Sequence, residues 1–293
     1  MEKKDQHVIP ECYLKAWCDP ASPVGYVPYV WVASRDGKEV RNKAPRKIFT
    51  SSDFYTIKLN DGSRNLVIED TFSAIEGRFT RLRDSKLCKD AGLNAEDLVL
   101  LCVFSAMLCA RVHSERAALT NFFTELHDHA VALEEFHLGK QAEGSATTDA
   151  YRKQGHQLVI GHQIDSLMKW FLIMKFVILT APANSHFITS DNPCVRFNPQ
   201  WPKMPPMLRG GLTEQDIEVT VPLSPRHLAH FSWIEVWKLF GFSEERFASV
   251  GPYLPVPEVV VDEINGRTRF YCDEFFVTQT RDLRAAWFAE STA

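Results

Sequence analysis

The sequence predicts an α+β fold, with a helical middle and a small mixed or antiparallel sheet built from N- and C-terminal strands. Three observations carry this reading. β-type segments bounded by turn residues fill the first sixty positions. Apolar residues then recur at helical spacing from about position 68 onward. The last third breaks into short apolar runs separated by proline and glycine.

The elements follow in order. Gln6–Trp17 is an ordered entry segment, partly a short helix, and Pro20–Pro28 is rich in turns. Tyr29–Ala33 is predicted as a strand, and Asp36-Gly37 marks a hairpin of type I′, with the return beginning at Lys38–Val40. Phe54–Leu59 is predicted as another strand, followed by a turn at Asp61-Gly62. Ile68, Phe72, Ile75, Phe79 and Leu82 recur at steps of three and four, which marks one helix face. Asn94 with Asp97 three residues on suits a capping box. The inner stripe of that helix is Leu98, Leu101, Cys102, Ser105, Leu108, Cys109 and Val112, with helical signal continuing past a break to about His137. Gly139–Asp149 is a polar loop, and Gln157–Leu179 is predicted as a third long helix stopped by Pro182. Beyond it come strands at His186–Thr189, Ile217–Val221 and His227–Trp233, a proline-rich loop or lid at Asn198–Gly211, and a terminal helix at Val259–Phe275. No repeat or linker divides the chain, so one domain spanning 1–293 is expected.

Composition narrows the function classes. The 293 residues are 45% hydrophobic, enough for a sizeable core, and the net charge of −4 lacks the Lys/Arg excess of a strongly basic nucleic-acid binder. The first fifty residues nevertheless hold nine basic against six acidic side chains, so a mild positive patch is expected there. The seven cysteines are odd in number and include no C-x-x-C pair, which argues against zinc ribbons and thioredoxin-type sites. Cys102 and Cys109 suit buried thiols, and a reducing, cytoplasmic location is the expectation. The opening MEKKDQHVIPE has no apolar stretch of the signal-peptide kind, and the run Trp170–Leu179 is too short to span a bilayer.

Phosphate-loop, dinucleotide-binding, H-E-x-x-H and G-x-S-x-G signatures are absent. Ser166-Leu-Met-Lys169 followed by Ser190-Asp191-Asn192 imitates penicillin-binding enzymes, but no K-T-G completes the set. The ten histidines show no metal-ligand spacing. Four clusters remain. His7, in Gln6-His7-Val8-Ile9-Pro10, stands where the chain enters the core, as a base or as an anchor for the N-terminus. Glu76 follows inward-facing Ile75, with Glu69 seven residues earlier, at a core edge or on a solvated flank. Arg111 lies on or beside the buried stripe and needs a carboxylate or a bound anion. Asp191, in Thr189-Ser190-Asp191-Asn192-Pro193, ends a strand, where it either holds a ligand or makes turn hydrogen bonds. The basic return from Lys38 to Lys47, including Lys43 and Arg46, is either a phosphate contact or a charged edge strand that blocks unwanted pairing.

Lys4-Asp5-Gln6-His7-Val8-Ile9-Pro10 and Tyr13-Leu14-Lys15, then Asp53-Phe54-Tyr55, Ile75-Glu76, Arg111, Phe187-Ile188-Thr189-Ser190-Asp191-Asn192-Pro193 and Pro222-Leu223-Ser224-Pro225, resemble in order the motifs of domain of unknown function 4238. One departure is that Glu11-Cys12 precedes Tyr13, which displaces the usual aromatic after Pro10. The resemblance implies one full-length domain of a bacterial or fungal kind. It singles out His7, Glu76, Arg111 and Asp191 without giving any of them a role.

The leading expectation is a metal-assisted phosphodiesterase or nuclease-like hydrolase. Asp191 and Glu76 would hold a divalent ion, Mg or Mn, and His7 would move a proton. Arg111, Gln6, Asn192, Lys43 and Arg46 would hold a nucleic acid or a phosphorylated small molecule. The alternatives are a non-catalytic anion- or nucleotide-binding module, in which Arg111 and the 198–211 loop hold the ligand, and a toxin or phage-defence effector that acts with a partner. The sequence sets no oligomeric state and predicts no membrane association.

Overall fold

The computed structural model describes residues 5–23, 25–139, 146–201, 204, 211–233 and 252–289. Two sheets and a helical layer share one extended hydrophobic core. The first sheet is antiparallel, with order β3-β2-β13-β8. It joins N-terminal β2 (Val30–Ser34) and β3 (Val40–Lys43) to β8 (Thr189–Ser190) and β13 (Phe275–Thr278). This is the expected sheet of N- and C-terminal strands, and the α+β class holds. The second sheet has order β12-β7-β11-β10-β9: β7 (Lys175–Thr180), β9 (Val195–Phe197), β10 (Glu218–Pro222), β11 (His227–Ser232) and β12 (Tyr253–Pro255). Only β12 and β7 run parallel. Short pairs add β1 (Asp5–His7) to β4 (Thr50–Ser52) and β5 (Ile57–Lys58) to β6 (Arg64–Asn65).

The hairpin at Asp36-Gly37 is present, but only Gly37 is left-handed, at φ 73°. The Gly37 N–H donates to the Ser34 carbonyl at 2.8 Å, so the turn is not type I′. A Cβ at Gly37 would meet Phe288 at 2.5 Å, a second reason for glycine there. The Phe54–Leu59 strand shrinks to Ile57–Lys58, because Phe54 and Tyr55 turn into the core instead.

Among the described residues, five α-helices follow the short α1 (Glu11–Leu14): α2 (Val67–Ser85), α3 (Ala95–Ala110), α4 (His113–Leu138), α5 (Ala146–Ile173) and α6 (Glu258–Tyr271). The Asn94/Asp97 capping box starts α3. The predicted stripe on α3 widens to nearly its full circumference, and Leu100–Cys102 and Phe104–Ala110 are all buried. A helix that is apolar on every side belongs inside a core, and α3 runs between α2 and α5. Phe104 stacks on Phe79 of α2 with ring centroids 3.6 Å apart.

Two helix predictions overrun. The apolar run after Trp170 is helix only to Ile173, and Lys175–Thr180 is an inner strand between β11 and β12. A strand buried on both faces loses its alternation and cannot be told from buried helix by period. The terminal helix ends at Tyr271 instead of Phe275, for a reason that lies in Asp191 (below). Of the proline-rich 198–211 loop, residues 202–203 and 205–210 lie outside the described residues.

The N-terminal segment is the keystone. Val8, Ile9, Tyr13, Leu14 and Trp17 are all essentially inaccessible. The Tyr13 hydroxyl donates to the Pro222 carbonyl at 2.8 Å and lies 2.6 Å from Thr189 Oγ1. Trp17 Nε1 donates to the Phe187 carbonyl at 2.8 Å. Pinning two aromatic polar tips this way lets large rings be buried without a stranded donor. Among the described residues no helix is long and apolar enough to cross a membrane.

Candidate functional site

Four of the resemblance motifs, those of Gln6-His7, Asp53-Phe54-Tyr55, Glu76 and Arg111, meet in space at Arg111. Arg111 caps the C-terminus of α3 and is 1% exposed. Each of its three guanidinium nitrogens is used: Nη1 bonds Glu76 Oε1 at 2.7 Å, Nη2 donates to the His7 carbonyl at 2.5 Å, and Nε donates to the Tyr55 hydroxyl at 3.1 Å. The Tyr55 hydroxyl in turn donates to the Arg111 carbonyl at 3.0 Å. Phe72 and Tyr55 lie under the guanidinium carbon at 4.9 and 5.3 Å. Gln6, itself 1% exposed, accepts the Tyr55 amide at 2.6 Å and donates to Thr56 Oγ1 at 3.2 Å. Asp53 closes the knot by pairing with Arg64.

The His7 backbone and the Glu76 side chain thus meet at Arg111, whose three nitrogens, like the Gln6 side-chain amide, are engaged within the protein. The expected substrate-binding roles of Arg111 and Gln6 give way to packing roles, because burial demands that each donor be matched within the protein. Burial, its largest influence, lowers the pKa of His7, and its Nε2 is buried without a partner among the described residues.

Asp191 joins a different structure. Its Oδ1 accepts the amide of Asp273, and its Oδ2 accepts those of Glu274 and Phe275, each at 2.8 Å. The carboxylate gathers the amides just past Tyr271, which ends α6 and starts β13. Burial pushes Asp191 up to about 6, against the downward pull of the three amides. Glu76 is engaged by Arg111 and by the Cys12 thiol at 3.9 Å, and the two carboxylates share no bonding partner. Among the described residues no group of three or more His, Cys, Asp and Glu could hold a metal ion. The residues do not fit the expected Mg or Mn site at Asp191 and Glu76. Lys43 and Arg46 are exposed on β3 and on the turn that follows it; the Arg46 backbone, not its guanidinium, reaches His7.

A second constellation looks catalytic. The His227 ring bridges Ser224 Oγ (3.0 Å from Nδ1) and Asp90 Oδ1 (2.7 Å from Nε2). Burial runs the wrong way for a nucleophile. Ser224 is 6% exposed and accepts the amides of Arg226 and His227, while the Asp90 side chain is 40% exposed. This set braces a turn.

A concavity among the described residues lies beside the Asp191 loop. A cleft of about 380 Å³ runs between two walls. One wall is the α3–α4 corner, with Cys109, Ser114 and Glu115; the other carries Asn192, Cys194, Arg196 and Tyr271, and Trp201 also lines the space. Cys109 and Cys194 form a disulfide, which corrects the expectation of a buried thiol at 109. Arg196 pairs through Nη2 with Glu115, whose other oxygen accepts Gln163 Nε2 at 2.9 Å. The Arg196 side chain is 45% exposed. Trp201 is held by Nε1 donating to Glu214 at 2.7 Å, and Asn192 by Nδ2 donating to the Tyr271 carbonyl at 3.2 Å. Of the expected substrate-binding residues, Asn192 alone lines this cleft. Arg196, Tyr271 and the disulfide went unforeseen, although Cys109 and Cys194 stand two residues before Arg111 and three after Asp191; Trp201 belongs to the 198–211 loop expected to hold a ligand.

Several histidines are held neutral. Burial lowers His186 to about 4 and lowers His156 and His227 as well. The unfolded chain then takes up protons that the fold refuses between about pH 6.5 and 4. This stability is complete above 6.5 and is lost as pH falls, by at most about 1.4 kcal/mol per pH unit per histidine. Asp191 contributes with the opposite sign, between its ordinary value of 3.8 and about 6, and is outnumbered. Thermal unfolding across this window should show Tm falling on acidification, with a shallower slope in His186→Gln; a level Tm in both proteins would refute the assignment.

Neither the curated proteins nor the solved structures yield a match to this chain. A family model, "Protein of unknown function (DUF4238)", matches residues 5–282, nearly the whole length and every segment of the Arg111 and Asp191 assemblies. The chain belongs to the DUF4238 family.

Proposed function

We propose that this protein binds a small anionic molecule bearing a flat ring, of nucleotide size, in the cleft between the α3–α4 corner and the Asp191 loop. The observation that carries this reading is the contrast between two arginines. Arg111 is sealed, with three nitrogens committed. Arg196 is half open, with Nη2 bonded to Glu115, and it lines a cleft walled in part by Trp201 and Tyr271. A guanidinium with spare donors suits a phosphate, and aromatic walls suit a base. The volume falls within the range of small-molecule sites, about 300–1,000 Å³. The first turn of α4, which carries Ser114 and Glu115, adds positive dipole at the same place. The proposal is binding, and the assay below tests turnover alongside it.

Titration with AMP, adenosine and inorganic phosphate, followed by tryptophan fluorescence and thermal shift, tests this. Saturable binding of AMP is expected, weaker for adenosine. Arg196→Ala should weaken AMP binding by about 10- to 100-fold, the worth of one or two charged hydrogen bonds. Unchanged affinity in that variant, or no saturable response to any probe, would sink the proposal. Phosphate released from AMP in the presence of Mg²⁺ or Mn²⁺ would favour the hydrolase instead.

A further inference from the structure

We propose that the Cys109–Cys194 disulfide is a reversible redox latch that sets the ligand affinity of the cleft, an inference that rests on the binding reading above. The two cleft walls come from different parts of the fold. The α3–α4 corner belongs to the helical layer, and the Asn192–Arg196 wall belongs to the strands β8 and β9 and the end of α6. Two links join them: the disulfide and the Glu115–Arg196 ion pair. The disulfide is covalent and lines the cleft itself, while the ion pair sits at a half-exposed rim. A ligand anion that draws Arg196 away from Glu115 removes one link, so the disulfide then carries most of the wall-to-wall spacing. An intact bond keeps the site preorganised, and a broken one makes binding bear the cost of ordering it.

Breaking the latch need not unfold the loop. Asp191 keeps its three amide bonds, Asn192 its bond to Tyr271, and β9 its pairing with β10. The chemistry is thiol–disulfide exchange with a dithiol. A dithiol thiolate attacks one sulfur, the Cys109–Cys194 bond breaks, and the second thiol closes the reagent into its own disulfide. Two electrons and two protons pass to the protein, leaving two thiols. Both cysteines are only 6–7% exposed, but both line the cleft, so the reagent enters where the ligand does.

Dithiothreitol serves as the probe on the full chain. Of seven cysteines, two are bonded, so alkylation in denaturant should tag five before reduction and seven after. AMP affinity should fall about tenfold or more on reduction. The double variant Cys109→Ser/Cys194→Ser should show the weaker affinity with or without dithiothreitol. Amide exchange at residues 109–118 and 190–197 should quicken on reduction, with no ligand present. Seven tagged cysteines before reduction would overturn the latch, as would exchange and affinity both unchanged by it. If AMP binds neither form, the binding reading fails, and exchange alone then decides whether the latch exists.

Discussion

Arg111→Ala should lower the unfolding free energy by about 3–5 kcal/mol, the cost of removing one partner from a buried ion pair. Three groups lose their donor at once: the Glu76 carboxylate, the His7 carbonyl and the Tyr55 hydroxyl. They belong to α2, to the N-terminal strand and to the loop before β5, so the loss loosens contacts far apart in sequence. Arg111→Lys keeps the charge but replaces a planar fork with a single point donor, and should recover only part of the stability. Glu76→Met paired with Arg111→Met removes both charges, and its cost should be well below the sum of the singles, with a coupling of about 1–3 kcal/mol. Urea unfolding of the four proteins provides the cycle. A loss under about 1 kcal/mol in Arg111→Ala, joined to a large loss of AMP binding, would return Arg111 to the role of anion ligand and remove it from the scaffold.

The burial of Arg111 was legible in the sequence because helical spacing puts residue 111 on or beside the buried stripe of α3; that its partner would be Glu76, on α2, was not. A charge on an apolar face must find a partner, either a carboxylate or a bound anion. What spacing could not say is whether a guanidinium so placed keeps donors for a ligand. That depends on the His7 carbonyl and the Tyr55 hydroxyl, which arrive from sequence-distant segments. The Lys175–Thr180 strand was hidden for another reason: a continuous apolar run has no period, and only its place between β11 and β12 makes it a strand. The cleft was hidden most deeply. Seven cysteines offer many pairings, and Arg196 is an ordinary exposed arginine until Trp201 and Tyr271 are placed around it. The sheet of N- and C-terminal strands was foreseen because hairpin turns and strand ends carry local chemistry; of the second sheet the sequence showed β10 and β11, which flank one short turn, but not β7.

Asp191→Ala should cost about 2–4 kcal/mol, less than three charged hydrogen bonds would sum to, because Asp273 and Glu274 are exposed and water can serve their amides. The Phe275 amide is the partly buried one, and it opens β13, the strand that joins β2 to β8. The damage should therefore spread along that sheet: amide exchange should rise at 273–278 and at 189–190, while the Arg111 knot stays protected. Asp191→Asn keeps one acceptor oxygen but sets an NH₂ against an amide donor, so its cost should be intermediate, about 1–2 kcal/mol. Activity separates this from the metal-ligand expectation. A structural Asp191 predicts that Mn²⁺ affinity is the same in Asp191→Asn and the parent, since neither presents a free carboxylate. A parent that cleaves a phosphodiester with Mn²⁺, and an Asp191→Asn variant that folds equally well but does not, would show that the three amides hold the carboxylate in readiness for a metal, and the cleft would then be the place to look for its substrate.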